Sequence, residues 1–367
     1  MNTMIDTEHD LQQEKYAARY VELGDQFQAL RTEKKMRHRD AARSLGISEG
    51  EALAAHVASG HAMQVTRLEG EFSALIAALK DVGPVMALTR NEAAVHERDG
   101  TYLESSVNGH VGLVLGPDID LRIFYSQWAH AFWVAEKSEK GVSRSVQFFD
   151  AHGDAVHKIF ERSMTDPAAF EGVCMLFAAK AQVPGMVALP RVTKAAPQSD
   201  AEIDVAGFRD AWSKMTDTHQ FFGLLRKFSL ARTQALRLAG TEYAVRVGND
   251  ATRFVLQQAA ERFLEIMIFV PNPGCIQIHT GPVNNIQVMG PWVNVLDPDF
   301  NLHLREDLIV ESWIVRKPTE DGVVTSLELY DAQGETIAFL FGKRKPGIPE
   351  LDAWRELVAE IPVGSAQ

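Results

Sequence analysis

The chain repeats itself. "VLGPDIDLRIF" (Val114–Phe124) returns as "VLDPDFNLHLR" (Val295–Arg305), and "SVQFFDAHGD" (Ser145–Asp154) returns as "SLELYDAQGE" (Ser326–Glu335). One offset of 181 residues serves both, carrying Pro117 onto Pro298 and Asp150 onto Asp331. The same offset pairs Asn91 with Asn272, Gly100 with Gly281 and Gly109 with Gly290, and it extends back onto "EFSALIAALKDVG" against "TRFVLQQAAERFL". A register held through turn residues and alternating apolar positions marks two copies of one structural unit. Upstream the offset becomes 194, which sets "DQFQALRT" (Asp25–Thr32) on "HQFFGLLR" (His219–Arg226). The copies therefore differ in length between their first helices and their strands. The stretch 183–205, rich in Pro, Ala and small polar residues, reads as a linker between copies at 15–182 and 206–362.

Each copy opens in helix-like sequence. "DLQQEKYAARYVELGDQFQALRTEKKMRHRDAARSLGIS" is dense in good helix formers, with a glycine at each expected stop. Each copy then turns to short alternating runs separated by "TEDG", "DAQG" and "DAHG", the punctuation of antiparallel meanders. Segregated helices and strands predict an α+β fold. The expected architecture is two structurally similar halves, each with a large antiparallel sheet flanked by helices, related by a pseudo-dyad.

The net charge of -12 argues against general nucleic-acid binding and against attraction to anionic membranes. Cys174 and Cys275, the only cysteines, cannot form a disulfide framework or a CxxC or CxxCH motif, and read as buried thiols in a reducing compartment. The N-terminus is polar and acidic, unlike a secretory signal, and no apolar run approaches a membrane span, so a cytoplasmic protein is expected. GxGxxG, GxxxxGK[ST] and Ser or Cys nucleophile motifs are missing from the sequence.

In a duplicated scaffold, specialisation can hide where the copies differ. In "MTDTHQFFGLLRKF", Phe221, Leu224, Leu225 and Phe228 follow i, i+3, i+4, i+7 as a core stripe, with Asp217 or Thr218 as the expected cap. His219, Phe222, Gly223 and Arg226 then share the other face, where the first copy has Asp25, Gln28, Ala29 and Thr32. An imidazole, an aromatic ring and a glycine that permits close approach suit a flat ligand. The positive helix end would keep His219 neutral and open to a metal, although a solvated histidine beside a cap fits the same pattern. Arg122 corresponds to His303, and His96 to Gln277. Arg122 lies among Leu121, Ile123 and Phe124, so it needs a partner if it faces inward, or it lies on the solvated side of a strand. His219, His279 and His303 share the second copy, but their spacing matches no usual zinc pattern.

Across nearly the whole chain, "TDTHQFFGLL", "RNEAAVHE", "NGHVGLVLGPDIDLR", "FNLHLRED" and "RKPTEDGVVTSLELYDAQG" resemble the bacterial cytoplasmic haem-utilisation proteins. These are the hemin transport proteins or hemin-degrading factors of the HemS/ChuS/PhuS type. The resemblance implies a haem b pocket between the halves, with His219 as proximal iron ligand and Arg122 on the distal side. It implies His96 as a second ligand or part of an alternative site. It further implies Arg232, Lys317 and Arg344 as cations for the propionates or pocket mouth, and Phe124 and Phe222 against the haem face. The chain departs from the family at Phe339 and Phe341, where related chains carry Gln and Tyr, so two polar haem contacts are expected to be missing.

Haem requires an axial imidazole, apolar walls and cations for its two carboxylates. Arg122 could stabilise charge developing near the iron, with an ordered water delivering protons, since arginine does not readily give up its own. Three functions compete. The chain is a carrier that takes haem after import and passes it intact to an oxygenase, or it is an enzyme that opens the macrocycle with an external reductant and releases iron. The third is a binder of some other planar ligand. The implied partners are haem, the cytoplasmic side of a haem ABC importer, a haem oxygenase and a reductase, with no nucleic acid and no membrane insertion.

Overall fold

The computed structural model describes residues 2–139, 141–192, 196–345 and 347–362, with the side chains of residues 2–17 outside that description. The first copy comprises α1 (Asn2–Glu33), α2 (His38–Ser44), α3 (Glu49–Ala54), β1 (Met63–Leu68), α4 (Phe72–Ala78), β2 (Val85–Arg90), β3 (Ala94–Gly100), β4 (Glu104–Asn108), β5 (Val111–Leu115), β6 (Asp120–Phe124), β7 (His130–Ser138), β8 (Gly141–Phe149), β9 (Ala155–Glu161) and α5 (Pro167–Met175). The second comprises α6 (Val205–Ser213), α7 (Gln220–Lys227), α8 (Arg232–Ala239), β10 (Ala244–Val247), α9 (Ala251–Glu261), β11 (Ile266–Pro271), β12 (Cys275–Gly281), β13 (Ile286–Met289), β14 (Trp292–Leu296), β15 (Phe300–Arg305), β16 (Glu311–Thr319), β17 (Gly322–Tyr330), β18 (Thr336–Gly342) and α10 (Asp352–Ala359).

The strands form two antiparallel sheets of nine, ordered β1-β7-β8-β9-β2-β3-β15-β14-β13 and β10-β16-β17-β18-β11-β12-β6-β5-β4. The α+β duplication expected from the sequence is observed, with an exchange the repeat did not show. Each sheet takes six strands from one copy and three from the other. The two junctions share one register: Ala94 lies opposite Leu304, and Cys275 opposite Ile123, the same pair moved by the repeat offset. A slip of one residue would turn every inward side chain outward, so alternation fixes this register twice over.

Twin asparagines lock the crossing. The Asn91 side chain donates to Pro271 O at 3.0 Å and Ile337 O at 2.8 Å, while its oxygen accepts the Ala93 and Ala94 N–H groups. Asn272 does the same with Arg90 O and Val156 O, and with the Gly274 and Cys275 N–H groups. Each turn thus satisfies its own backbone and two carbonyls across the pseudo-dyad, which apolar residues could not do.

The inner faces of the sheets are buried. The exchanged strands send Val114, Leu121 and Ile123 into a core with α4, α5, Trp133, Phe148 and Phe170, and send Val293, Val295, Leu302 and Leu304 into the matching core with α9, α10 and Trp354. Each such side chain contributes roughly 1.5–3 kcal/mol relative to exposure, so the exchange is a large part of what holds the halves together. The outer faces are only partly covered. Helices α1–α3 pack on one end of the first sheet, and α6–α8 on one end of the second. Of the expected linker, residues 183–191 are tied to the first copy. Gly185 N–H donates to Ala54 O at 2.7 Å, Leu189 N–H to Ala151 O at 2.8 Å, and Met186 is buried.

Candidate functional site

Helix α7 buries Phe221, Leu224 and Leu225 against Trp212 and Leu236, with Phe228 packed beside them, as the stripe predicts. The cap is different from the one expected. The helix begins at Gln220, and His219 occupies the capping position without a side-chain capping bond. Asp217 uses its carboxylate elsewhere: Oδ1 accepts the His219 N–H at 2.7 Å and the ring Nδ1–H at 2.6 Å. The His219 backbone N–H, with the ring adding to it, holds the Asp217 carboxyl below the usual range. The His219 side chain is 92% exposed and Phe222 is 65% exposed, with the Arg226 guanidinium 5.7 Å from the Phe222 ring centre.

The segment before α7 is moored to the second sheet. Glu320 N–H, in the turn between β16 and β17, donates to Thr216 O at 2.9 Å. Arg344, just beyond β18, acts on Asp217 electrostatically and lies 3.9 Å from Asp321 in the same turn. His219 therefore stands at the end of the sheet where that turn and β18 meet.

The sheet face beside it is mostly apolar, covered by α6–α8 at Trp313 and Glu328 and open beyond them. Opposed residues share a face in an antiparallel pair, and one row crosses six strands as Trp313, Glu328, Phe339, Phe269, Ile278 and Asp120. The rows on either side of it set Phe341 opposite Met267 on one flank, and Ile276 opposite Arg122 on the other. Phe269 and Phe341 meet edge to face at 5.0 Å. Phe339 and Phe341 thus make this wall hydrocarbon. From Phe339 to Asp120 the trough spans three strand spacings, about 14 Å, a width that suits a flat macrocycle. Arg122 and Phe124 project from β6 on this face, both half-buried. Arg122 pairs with Asp120 two residues away. Burial raises the Asp120 carboxyl, and Arg122 opposes that rise. Because β6 is one of the exchanged strands, the first copy supplies Arg122 to the trough of the second.

Two of the three expected cations are already neutralised. Glu328, fully buried, accepts from Lys317 Nζ at 2.5 Å, Arg232 Nη2 at 3.0 Å, Ser326 Oγ at 3.0 Å and Tyr330 Oη. Burial alone would raise this carboxyl, but Arg232 and Lys317 hold it well below the usual range. Lys317 is 4% exposed and sits over Phe221 at 4.8 Å, so it lies buried under α7 and away from the mouth where it was expected. Arg232 reaches the surface between Phe221 and Phe339. Arg344 is the least compensated, with a distant carboxylate and a buried Nε that bonds to none of the described residues. Sequence reasoning read Asp217 only as a helix cap and missed Glu328. The charges at Lys317 and Glu328 give way to Glu136 and Gln147 in the first copy, a change that could have flagged the network.

His96 is not part of the trough, because it points to the opposite, inner face of its sheet. It is 0% exposed, its ring is 5.0 Å from Phe300, and neither nitrogen has a partner among the described residues. Burial drives it well below the ordinary histidine range. A ligand role for His96 does not fit this placement. His279 stacks on Phe300 at 3.8 Å on the inner side, whereas His303, on β15 of the other sheet, shares the outer face of its own trough, with Nδ1 2.8 Å from Asn294 Oδ1. The first copy's trough is polar, with Lys158 at Phe339's place and His303 at Arg122's.

The family model described as the haemin-degrading HemS.ChuX domain matches the chain twice, at residues 46–177 and 229–361. The chain is 44% identical over 325 residues to the hemin transport protein HmuS of Yersinia pestis, covering 88% of this chain and 92% of that protein. Among solved structures it is similar to holo-PhuS, a heme-binding protein from Pseudomonas aeruginosa, with a TM-score of 0.91 and 47% identity over 94% of this chain and 99% of that one. It is also similar to ChuS, an E. coli heme oxygenase, with a TM-score of 0.82 and 38% identity over 92% and 99% of the two chains.

Proposed function

The chain belongs to the haemin-degrading HemS/ChuX family, and on that premise we propose that it binds haem b on the trough of the second sheet, with His219 as the axial ligand. The observation that carries this reading is the imidazole itself. It is almost fully exposed at the end of an apolar face, with Nδ1 held by a carboxylate and Nε2 without a partner among the described residues. The residues fit the group: aromatic and aliphatic side chains for the macrocycle, and Arg344 with its unsatisfied Nε for a propionate. Arg232 can serve a second carboxylate at the cost of sharing with Glu328, and Lys317 acts through that same glutamate. Phe124 and Phe222 line the haem faces, and Arg122 stands on the side of the iron away from His219.

In haem uptake this arrangement acts first as a cytoplasmic carrier. An exposed ligand releases its cargo readily to a downstream oxygenase, and the buried, unpaired thiols Cys174 and Cys275 accord with a reducing compartment. A second reading, degradation of the bound haem with electrons from a reductase, is favoured by the Arg122–Asp120 pair facing the trough. That pair can orient water where charge develops. An importer, an oxygenase and a reductase are the partners this role requires.

One experiment separates the readings. Protein loaded with one equivalent of haemin is given ascorbate with catalase, and its Soret band is followed. A stable band and intact transfer to an added oxygenase is the expected result. Catalytic loss of the band with CO, iron and one tetrapyrrole product would establish the enzyme instead. His219→Ala should lower haemin affinity by at least about tenfold and shift the ferric spectrum. An unchanged spectrum would remove the axial assignment.

A further inference from the structure

We propose that Asp217 is the positioning residue that sets the tautomer and the electron-donating strength of His219, an inference that rests on His219 as the axial ligand. The carboxylate is fixed before any ligand arrives. Its Oδ1 accepts the backbone N–H of residue 219 at 2.7 Å, closing a turn of the Asx type. The same oxygen receives the ring Nδ1–H at 2.6 Å. A carboxylate only accepts, so the ring proton resides on Nδ1 and the lone pair on Nε2, the nitrogen left exposed. A carboxylate on the far side of a ligating imidazole also raises its basicity and orients the ring.

The pair belongs to the second copy alone. At the offset of the opening helices, Leu23 stands for Asp217 and Asp25 for His219, so both members differ together. Asp25 instead bonds His61 Nε2 at 2.9 Å. Thr216, on the other side, is occupied with Gln220 through reciprocal bonds of 3.0 and 3.1 Å, which leaves the Asp217 carboxylate directed at the ring. A more basic imidazole donates more strongly to ferric than to ferrous iron. The bound haem is thereby kept in the ferric state until an external one-electron donor of lower potential reduces it.

The test uses the full chain loaded with haemin. Asp217→Asn keeps an oxygen to accept both N–H groups and removes the charge. It should bind haemin within about threefold of the parent, lower the ferrous iron–histidine stretching frequency, and weaken the ferric preference about tenfold, a rise in midpoint potential of about 59 mV. Asp217→Ala loses orientation as well, and its haemin affinity should fall at least about tenfold. Should Asp217→Asn match the parent in stretching frequency and potential while His219→Ala loses axial ligation, Asp217 only shapes the turn and the inference is overturned. Should His219→Ala keep the parent spectrum, the axial reading fails and the inference with it.

Discussion

An arginine between leucine and isoleucine on a strand must find a counter-charge or reach water, and Arg122 does both. Alternation along β6 turns Leu121 and Ile123 into the core, and leaves Asp120, Arg122 and Phe124 on the trough. The partner that sequence reasoning required is Asp120, on the same face two residues earlier. Arg122→Ala should change haemin affinity by less than about threefold while altering the binding of azide or CO to the iron by roughly tenfold or more. Stopped-flow ligand binding measures this, and a loss confined to haemin affinity would make Arg122 a carboxylate anchor. His219 was legible as a residue on a non-core helix face. Its bond to Asp217 was not, because a sequence offers the same aspartate as a helix cap, and only the backbone angles before Gln220 select one use over the other.

At the scale of elements, helix α7 and the turns at Asp150 and Asp331 could be read from periodicity and turn chemistry. Each of those aspartates caps its turn by accepting two backbone N–H groups, from residues 152 and 154 and from residues 333 and 335. The cluster where β16, β17 and α8 meet was only half legible: Lys317 and Glu328 differ from the first copy, but Arg232 is 96 residues from Glu328 and joins them only in the fold. Glu328→Gln should destabilise the protein by about 3–5 kcal/mol, because it leaves Lys317 buried without its counter-charge. Urea unfolding at pH 7 reads this directly. The double change Lys317→Met with Glu328→Leu should cost less than Glu328→Gln alone, since no uncompensated lysine remains. If the double variant is the less stable, the pair is a net stabilising bridge.

At the scale of the whole molecule, the inner junction of the sheets holds histidines away from water. Burial lowers His279 to about 4 and His157 to about 3, with His96 displaced in the same direction. These groups are neutral when folded and bind protons near pH 6.5 when unfolded, so the unfolded state gains protons first as pH falls. Stability should decline from about pH 6.5 towards 4, with His279 alone contributing up to about 3 kcal/mol. Urea midpoints across that range test the sign. The exchange of strands carries a second consequence. An isolated second copy, residues 206–362, would leave the edge of β12 bare and β13–β15 without a sheet. It should self-associate as a symmetric dimer that restores both junctions, and a stable monomer by light scattering would contradict the exchange. The sequence by itself determined the duplication, the α+β class, the core stripe of α7 and the candidates His219 and Arg122, because repeats, periodicity and composition are local along the chain. Which copy supplies which strand was decided only by the tertiary structure, as were the exclusion of His96 from the trough and the counter-charges of Arg122, Arg232 and Lys317. Edge pairing depends on strands brought together across the whole fold, and which charges meet depends on which faces are buried, neither of which is fixed by spacing along the chain alone.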